Sequence, residues 1–133
     1  MMDHIETLLS NDKFLEHNGI QLIDVSKGCA RAKLDVTDHH LNGIQTVHGG
    51  AIFVLAELAF SAASLSYGTM AFAVNMNISY LKSVTDGPLI AEAKEISRNP
   101  KYAIYGVDIK DKNGDLVAIF QGLSYRKEDA ITA

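Results

Sequence analysis

The nineteen residues from Gly49 to Tyr67, GGAIFVLAELAFSAASLSY, carry apolar or small side chains on every side of a helical projection and a single charge, Glu57. A helix that is apolar all round is buried rather than laid on a surface. The rest of the chain must therefore enclose it, and Gly68 is expected as its C-terminal cap. The longest apolar stretch, Ala51 to Ala63, is interrupted by Glu57 and Ser61 and is too short to span a bilayer.

The flanking sequence supplies the enclosure. Ile5, Leu8, Leu9 and Phe14 recur among charges, which predicts a short amphipathic helical segment over residues 1–17, broken near Asn11. Ile20, Leu22 and Ile23 lead to the turn Ser26-Lys27-Gly28. Ala30, Ala32, Leu34 and Val36 then alternate with Arg31, Lys33 and Asp35, so the pair reads as a β-hairpin. Residues 37–48 have no period and read as a loop. Beyond Gly68 the pattern is all strand. Phe72, Val74, Met76, Ile78 and Tyr80 are expected on one face and Ala73, Asn75, Asn77 and Ser79 on the other. Asp86-Gly87-Pro88 reads as a turn, Leu89 to Ser97 as a strand, Arg98 to Lys101 as a connection, Tyr102 to Lys110 as a strand, Asn113-Gly114 as a hairpin turn and Leu116 to Tyr125 as the last strand. Tight turns in succession require antiparallel neighbours. The expected class is α+β: one domain over 1–133, with the long helix against the concave face of an antiparallel sheet.

With 47% hydrophobic and 21% charged residues the chain has enough apolar material for a core. A net charge of −4 without a Lys/Arg cluster argues against nucleic acid as the main partner. Cys29 is the single cysteine, so no intrachain disulfide or paired-cysteine metal site is expected. The start, MMDHIETLL, has acidic residues where a signal peptide needs positive charge. A soluble, cytoplasmic protein without membrane contact is expected. His39, His40 and His48 match no ligand spacing, so no metal and no cofactor is expected.

Gly49 and Gly50 open the helix. The first N–H groups of a helix lack internal partners, and its dipole makes that end electropositive. A carbonyl oxygen gaining negative charge would be stabilised there; close packing alone is the other use of such a pair. Glu57 stands eight residues beyond Gly49, roughly 12 Å along the axis at about 1.5 Å per residue. If both serve one reaction, a second copy of the chain must supply one of them. Two antiparallel helices in a two-fold homodimer meet that requirement. Otherwise Glu57 pairs with a polar neighbour at a dimer seam. Asn42 is suited either to hold a water or carbonyl or to form the Asn42-Gly43 turn. His48 reads as a base or as a backbone partner beside the turn.

The pattern N-G-x-x-x-x-H-G-G-x-x-x-x-L-A-E, from Asn42 to Glu57, resembles the hotdog-fold acyl-CoA thioesterases, in particular their phenylacetate-degradation (PaaI-type) branch. The segments GIQLID from Gly19, NISYLK from Asn77 and AIFQG from Ala118 extend the likeness over most of the chain. The resemblance implies a curved antiparallel sheet wrapped around one long central helix. It also implies a homodimer with interfacial active sites and a dimer-of-dimers tetramer. It gives Gly49 the amide that polarises the thioester carbonyl, Asn42 an orienting role toward substrate or water, and Glu57 the role of general base or nucleophile from the opposite subunit. His48, Gly50, Ala73 and Asn75 fall in the substrate-binding surroundings, with the acyl pocket along the helix and Phe72 to Tyr80. Arg98 and Lys101 are expected near the nucleotide. The branch has Asp at the acid position where this chain has Glu57, and some relatives carry Ser or Thr where this chain has Ala73, with Asn75 as a substitute on the same face. A non-catalytic acyl-CoA or aromatic-acid binding protein on the same scaffold is the alternative. A hydratase is a poorer match, since Asp38-His39-His40 lies before the glycines.

Overall fold

The computed structural model describes residues 2–131 and opens with two short helices, α1 (Met2–Ser10) and α2 (Lys13–Asn18). The Asp12 carboxylate caps α2 by accepting the Leu15 N–H at 3.1 Å, and the helix ends on Gly19 in the left-handed region. The break thus falls where Asn11 and Asp12 favour a cap over a continued helix. Residue 1 of the expected helical segment and residues 132–133 lie outside the described residues.

Strands β1 (Ile20–Ser26) and β2 (Cys29–Leu34) form the expected hairpin. A single 3-10 turn, Asp38–His40, follows within the loop. The long helix α3 (Gly49–Leu65) then runs into β3 (Thr69–Tyr80), β4 (Leu89–Arg98), β5 (Tyr102–Lys110) and β6 (Leu116–Ala130). All pairings are antiparallel, in the order β1-β2-β4-β5-β6-β3. Two expectations change. β6 continues five residues past Tyr125, because it pairs with β3 as far as Thr69. The turn at Asp86-Gly87-Pro88 does not make β3 and β4 neighbours: residues 81–88 cross from one edge of the sheet to its middle. Lys82 fastens this crossing by ion pairs to Asp111 (2.6 Å) and Asp115 (2.9 Å), and Lys112 pairs with Asp86 at 2.9 Å.

α3 lies against the inner face of the sheet. Alanines on both surfaces, Ala32, Ala91 and Ala93 on strands and Ala56, Ala59 and Ala63 on the helix, are all buried and let the two approach closely. Phe60 fills the remaining depth, with ring centroids 5.7 Å from Phe120 and 5.8 Å from Tyr105. Gly122 makes room for it: a Cβ there would stand 2.6 Å from the Phe60 ring.

A β-bulge in β3 alters the expected facing of its side chains. The register jumps between Ala73, opposite Ser124, and Asn75, opposite Leu123. Directly paired residues share a face, so Ala73 points inward with Ser124 while Asn75 points outward with Leu123. The extra residue, Val74, reverses the alternation. Met76, Ile78 and Tyr80 are inward opposite Gly122, Phe120 and Ala118, and Phe72 is outward opposite Tyr125. Asn75 therefore does not share a face with Ala73, and it is not placed to substitute for a hydroxyl there.

Candidate functional site

The start of α3 is built by His48. Its backbone is extended (φ −62°, ψ 135°), and its carbonyl accepts the N–H groups of Ala51 (3.0 Å) and Ile52 (3.2 Å). Its imidazole Nδ1 accepts the Gly50 N–H at 2.8 Å. Nδ1 must then hold a lone pair, so His48 is an N-cap. The two open amides expected at Gly49 and Gly50 reduce to one, because Gly50 is engaged. Among the described residues the Gly49 N–H has no acceptor, and it is the donor left at the positive end of α3.

Gly49 is also shaped by Tyr80, which sequence reasoning did not connect to it. The Tyr80 hydroxyl donates to the Gly49 carbonyl at 2.8 Å. A Cβ on Gly49 would lie 3.0 Å from the Tyr80 ring, so the missing side chain admits Tyr80 as well as any ligand. Asn42 lies beside them and lines a cavity with Gly49 and Tyr80. Its carbonyl oxygen accepts the N–H groups of Ile44 (3.0 Å) and Thr46 (3.1 Å), and its amide donates to the Thr46 hydroxyl at 2.8 Å. Asn42 thus holds the loop together with most of its capacity, and one amide hydrogen has no acceptor among the described residues.

Glu57 lies on the stripe of α3 that the sheet leaves uncovered, with Gly50, Phe53, Val54 and Ser61. These positions recur at helical spacing on one side. The carboxylate has no hydrogen-bond partner among the described residues. Burial raises its pKa above the ordinary glutamate value, and the nearby negative charge of Asp12 raises it further. Ser61 sits one turn beyond Glu57, its hydroxyl without a partner among the described residues. It lines a cavity of about 400 Å³ with Asp12, Ser64 and Ala73. Ser61 and Asp12 are the site-neighbouring residues that strand and motif reading missed. The i, i+4 spacing from Glu57 was the available signal for Ser61, whereas Asp12 arrives only through the packing of α2.

The basic residues gather at the opposite end of α3. The Arg98 guanidinium stacks 3.7 Å above the Tyr67 ring, and its Nε lies 3.7 Å from the Glu95 carboxylate. Arg126 donates to the Asn99 carbonyl at 2.6 Å and joins Arg98 and Lys127 around a cavity of about 590 Å³. Lys101 is exposed on the adjoining turn. Within this one chain, then, Asn42, His48, Gly49 and Gly50 come together. Glu57 and Ala73 lie farther along the helix, Arg98 and Lys101 lie past its end, and Asn75 is on the outer face. Among the described residues no cluster of three or more His, Cys, Asp or Glu side chains could hold a metal, and no helix is long and apolar enough to cross a membrane.

Comparison with known proteins places this arrangement. The sequence profile of the thioesterase superfamily matches residues 44–118, from the loop carrying Asn42 into β6. A protein of Archaeoglobus fulgidus is 38% identical over 120 residues, covering 90% of this chain and 78% of that protein. The acyl-coenzyme A thioesterase PaaI of Escherichia coli is 32% identical over 126 residues, covering 94% of this chain and 90% of that protein. The solved structure of the E. coli PaaI protein from the phenylacetic acid degradation operon superposes with a TM-score of 0.92 at 31% identity, over 98% of this chain and 96% of that one. The curved sheet around α3 is therefore the hotdog fold, and the chain is a thioester hydrolase that belongs to the thioesterase superfamily.

Proposed function

We propose that the protein hydrolyses an acyl- or aryl-acyl-CoA thioester to the free acid and CoA at sites shared between two copies of the chain. The observation that carries this reading is the separation of two unpartnered groups on one helix. The Gly49 N–H and the Glu57 carboxylate stand roughly 12 Å apart along α3, at about 1.5 Å per residue. That is too far for one carbonyl to meet both, while an antiparallel second α3 brings Glu57 of one copy to Gly49 of the other. Phe53, Val54 and Glu57 on the uncovered stripe are then the contact. The free edge of β3, with Phe72 and Val74 about half exposed, supports pairing with its own copy into one continuous sheet. Outward-facing Phe72, Tyr102 and Tyr125 offer a surface on which two such dimers pack as a tetramer.

In the reaction the thioester carbonyl oxygen accepts the Gly49 N–H. Glu57 takes a proton from water as the water oxygen bonds to the carbonyl carbon, or the carboxylate itself adds to form an anhydride that water then opens. Negative charge collects on the oxygen facing the amide. The C–S bond breaks when the tetrahedral species collapses, and the thiolate takes the proton. A carboxylate whose pKa is raised is the stronger base for this step. The Asn42 amide hydrogen orients substrate or water. Ser61 supplies a hydroxyl beside Ala73, in the region where the resemblance leads one to look for a strand hydroxyl. The nucleotide lies toward Arg98 and Lys101. From Glu57 to Leu65, the last residue of α3, is eight residues, roughly 12 Å of helix, so the protomer that supplies Glu57 also supplies this basic end.

The test is release of free thiol from a panel of acyl-CoAs by wild type and Glu57→Ala. Turnover in wild type that is lost in the variant supports the reading. Tight acyl-CoA binding without thiol release by wild type refutes it in favour of a binding protein.

A further inference from the structure

We infer that Tyr80 is a positioning residue for the oxyanion donor, acting through its hydroxyl on the first residue of α3. The inference rests on the hydrolase reading above and adds a residue to it. Four observations converge on it. The Tyr80 hydroxyl donates to the Gly49 carbonyl at 2.8 Å. Its ring stands 3.0 Å from where a Gly49 Cβ would be, so ring and glycine are fitted to each other. Tyr80 closes β3, inward opposite Ala118, and the crossing that follows is held by Lys82 on Asp111 and Asp115. Finally, Tyr80 walls two cavities at the start of α3: one of about 430 Å³ with Gly49, Asn42 and Lys82, and one of about 560 Å³ with Gly50, Phe14 and Phe53.

The physical need is plain. The first residue of a helix is held weakly, because its N–H is unused and its peptide carries few of the helix's own bonds. An oxyanion donor works only if fixed before the charge develops, since reorientation during the reaction costs what preorganisation saves. His48 fixes the Gly50 amide from one side. Tyr80 fixes the Gly49 carbonyl at the other end of the same peptide unit, while the peptide before Gly49 is held through the His48 carbonyl by the Ala51 and Ile52 N–H groups, so Gly49 is held on both sides. The strand that bears Tyr80 belongs to the rigid sheet, and the hydroxyl ties the start of α3 to that frame.

Tyr80→Phe isolates the hydroxyl, because the ring keeps its packing. Against an acyl-CoA that wild type hydrolyses, kcat is expected to fall about tenfold with KM unchanged, less than the roughly 10²–10³ lost when an oxyanion donor is removed outright. Unchanged kcat, or a raised KM with kcat intact, overturns the inference. A second measurement guards against a folding defect. Gly49→Ala should cost several-fold less in kcat in a Tyr80→Ala background than in wild type, because the clash it creates is with the Tyr80 ring. Equal costs in both backgrounds also overturn it. A wild-type protein that releases no thiol from any acyl-CoA would refute the hydrolase reading itself. An active wild type beside an equally active Tyr80→Phe removes Tyr80 alone.

Discussion

Glu57 stands a little over two helical turns beyond Gly49 on α3, and neither the carboxylate of the one nor the amide of the other has a hydrogen-bond partner among the described residues. Two polar groups left open on an otherwise apolar helix are costly to bury unless something meets them. In the proposed dimer the two groups of one helix serve two different sites, each completed by the opposite group of the other copy and facing substrate and water held between copies.

The raised pKa of Glu57 has a consequence for stability. Burial first, and Asp12 second, make the folded protein hold this proton more tightly than the unfolded chain does. The stabilisation is complete below the ordinary glutamate value and is lost as pH rises through the raised one. Glu57→Gln is neutral at every pH. It should therefore melt at a higher temperature than wild type near pH 7, with the gap closing toward about pH 4, while hydrolysis is abolished. Parallel melting curves across that range would contradict the burial of the charge.

The pH dependence of kcat/KM should show the same group. In the proposed mechanism activity requires ionised Glu57, so the acid limb is expected to have its midpoint above the ordinary glutamate value. A midpoint at or below that value would show that the base is another group or a solvated one.

Gly122→Ala is expected to destabilise by about 1–3 kcal/mol, measured by denaturant unfolding, because its Cβ would meet the buried Phe60 ring at 2.6 Å. Neutral behaviour would mean that Phe60 repacks freely. The added methyl matters here because Phe60 is held by Phe120 and Tyr105 on its other sides.

Arg98→Ala and Lys101→Ala should raise KM for acyl-CoA more than they lower kcat, since a contact to the nucleotide is made equally in ground and transition states. The effect of Arg98 should be the larger, because its guanidinium is held in place on Tyr67 and by Glu95, whereas the exposed Lys101 side chain has no partner among the described residues. Loss of kcat with KM intact would remove both from the nucleotide site.

The parts of the fold readable from sequence are those set by local pattern. The apolar run at Gly49–Leu65, the alternation through Ala30–Leu34 and the Asn113-Gly114 turn each report their own structure. What escaped reading depends on partners distant in sequence. The bulge at Val74 leaves strand propensity intact while turning Asn75 outward. The pairing of β3 with β6 rather than β4 is decided by how the sheet closes on α3. At the site, the Asn42–Glu57 spacing was legible as a motif, yet His48 engaging Gly50 and Tyr80 engaging Gly49 are seen only when strand and helix meet. Asp12 reaches Glu57 only because α2 packs beside α3.

The most direct test of the shared site is to mix two inactive variants, Gly49→Pro, which removes the N–H at the first helical position, and Glu57→Ala, under conditions in which subunits exchange. A mixed dimer holds one site with both wild-type groups and one with neither. Random pairing of equal amounts then predicts recovery of about a quarter of wild-type activity by two-fold symmetry. A mixture that exchanges subunits but stays as inactive as its components would contradict a site assembled from Gly49 of one copy and Glu57 of the other.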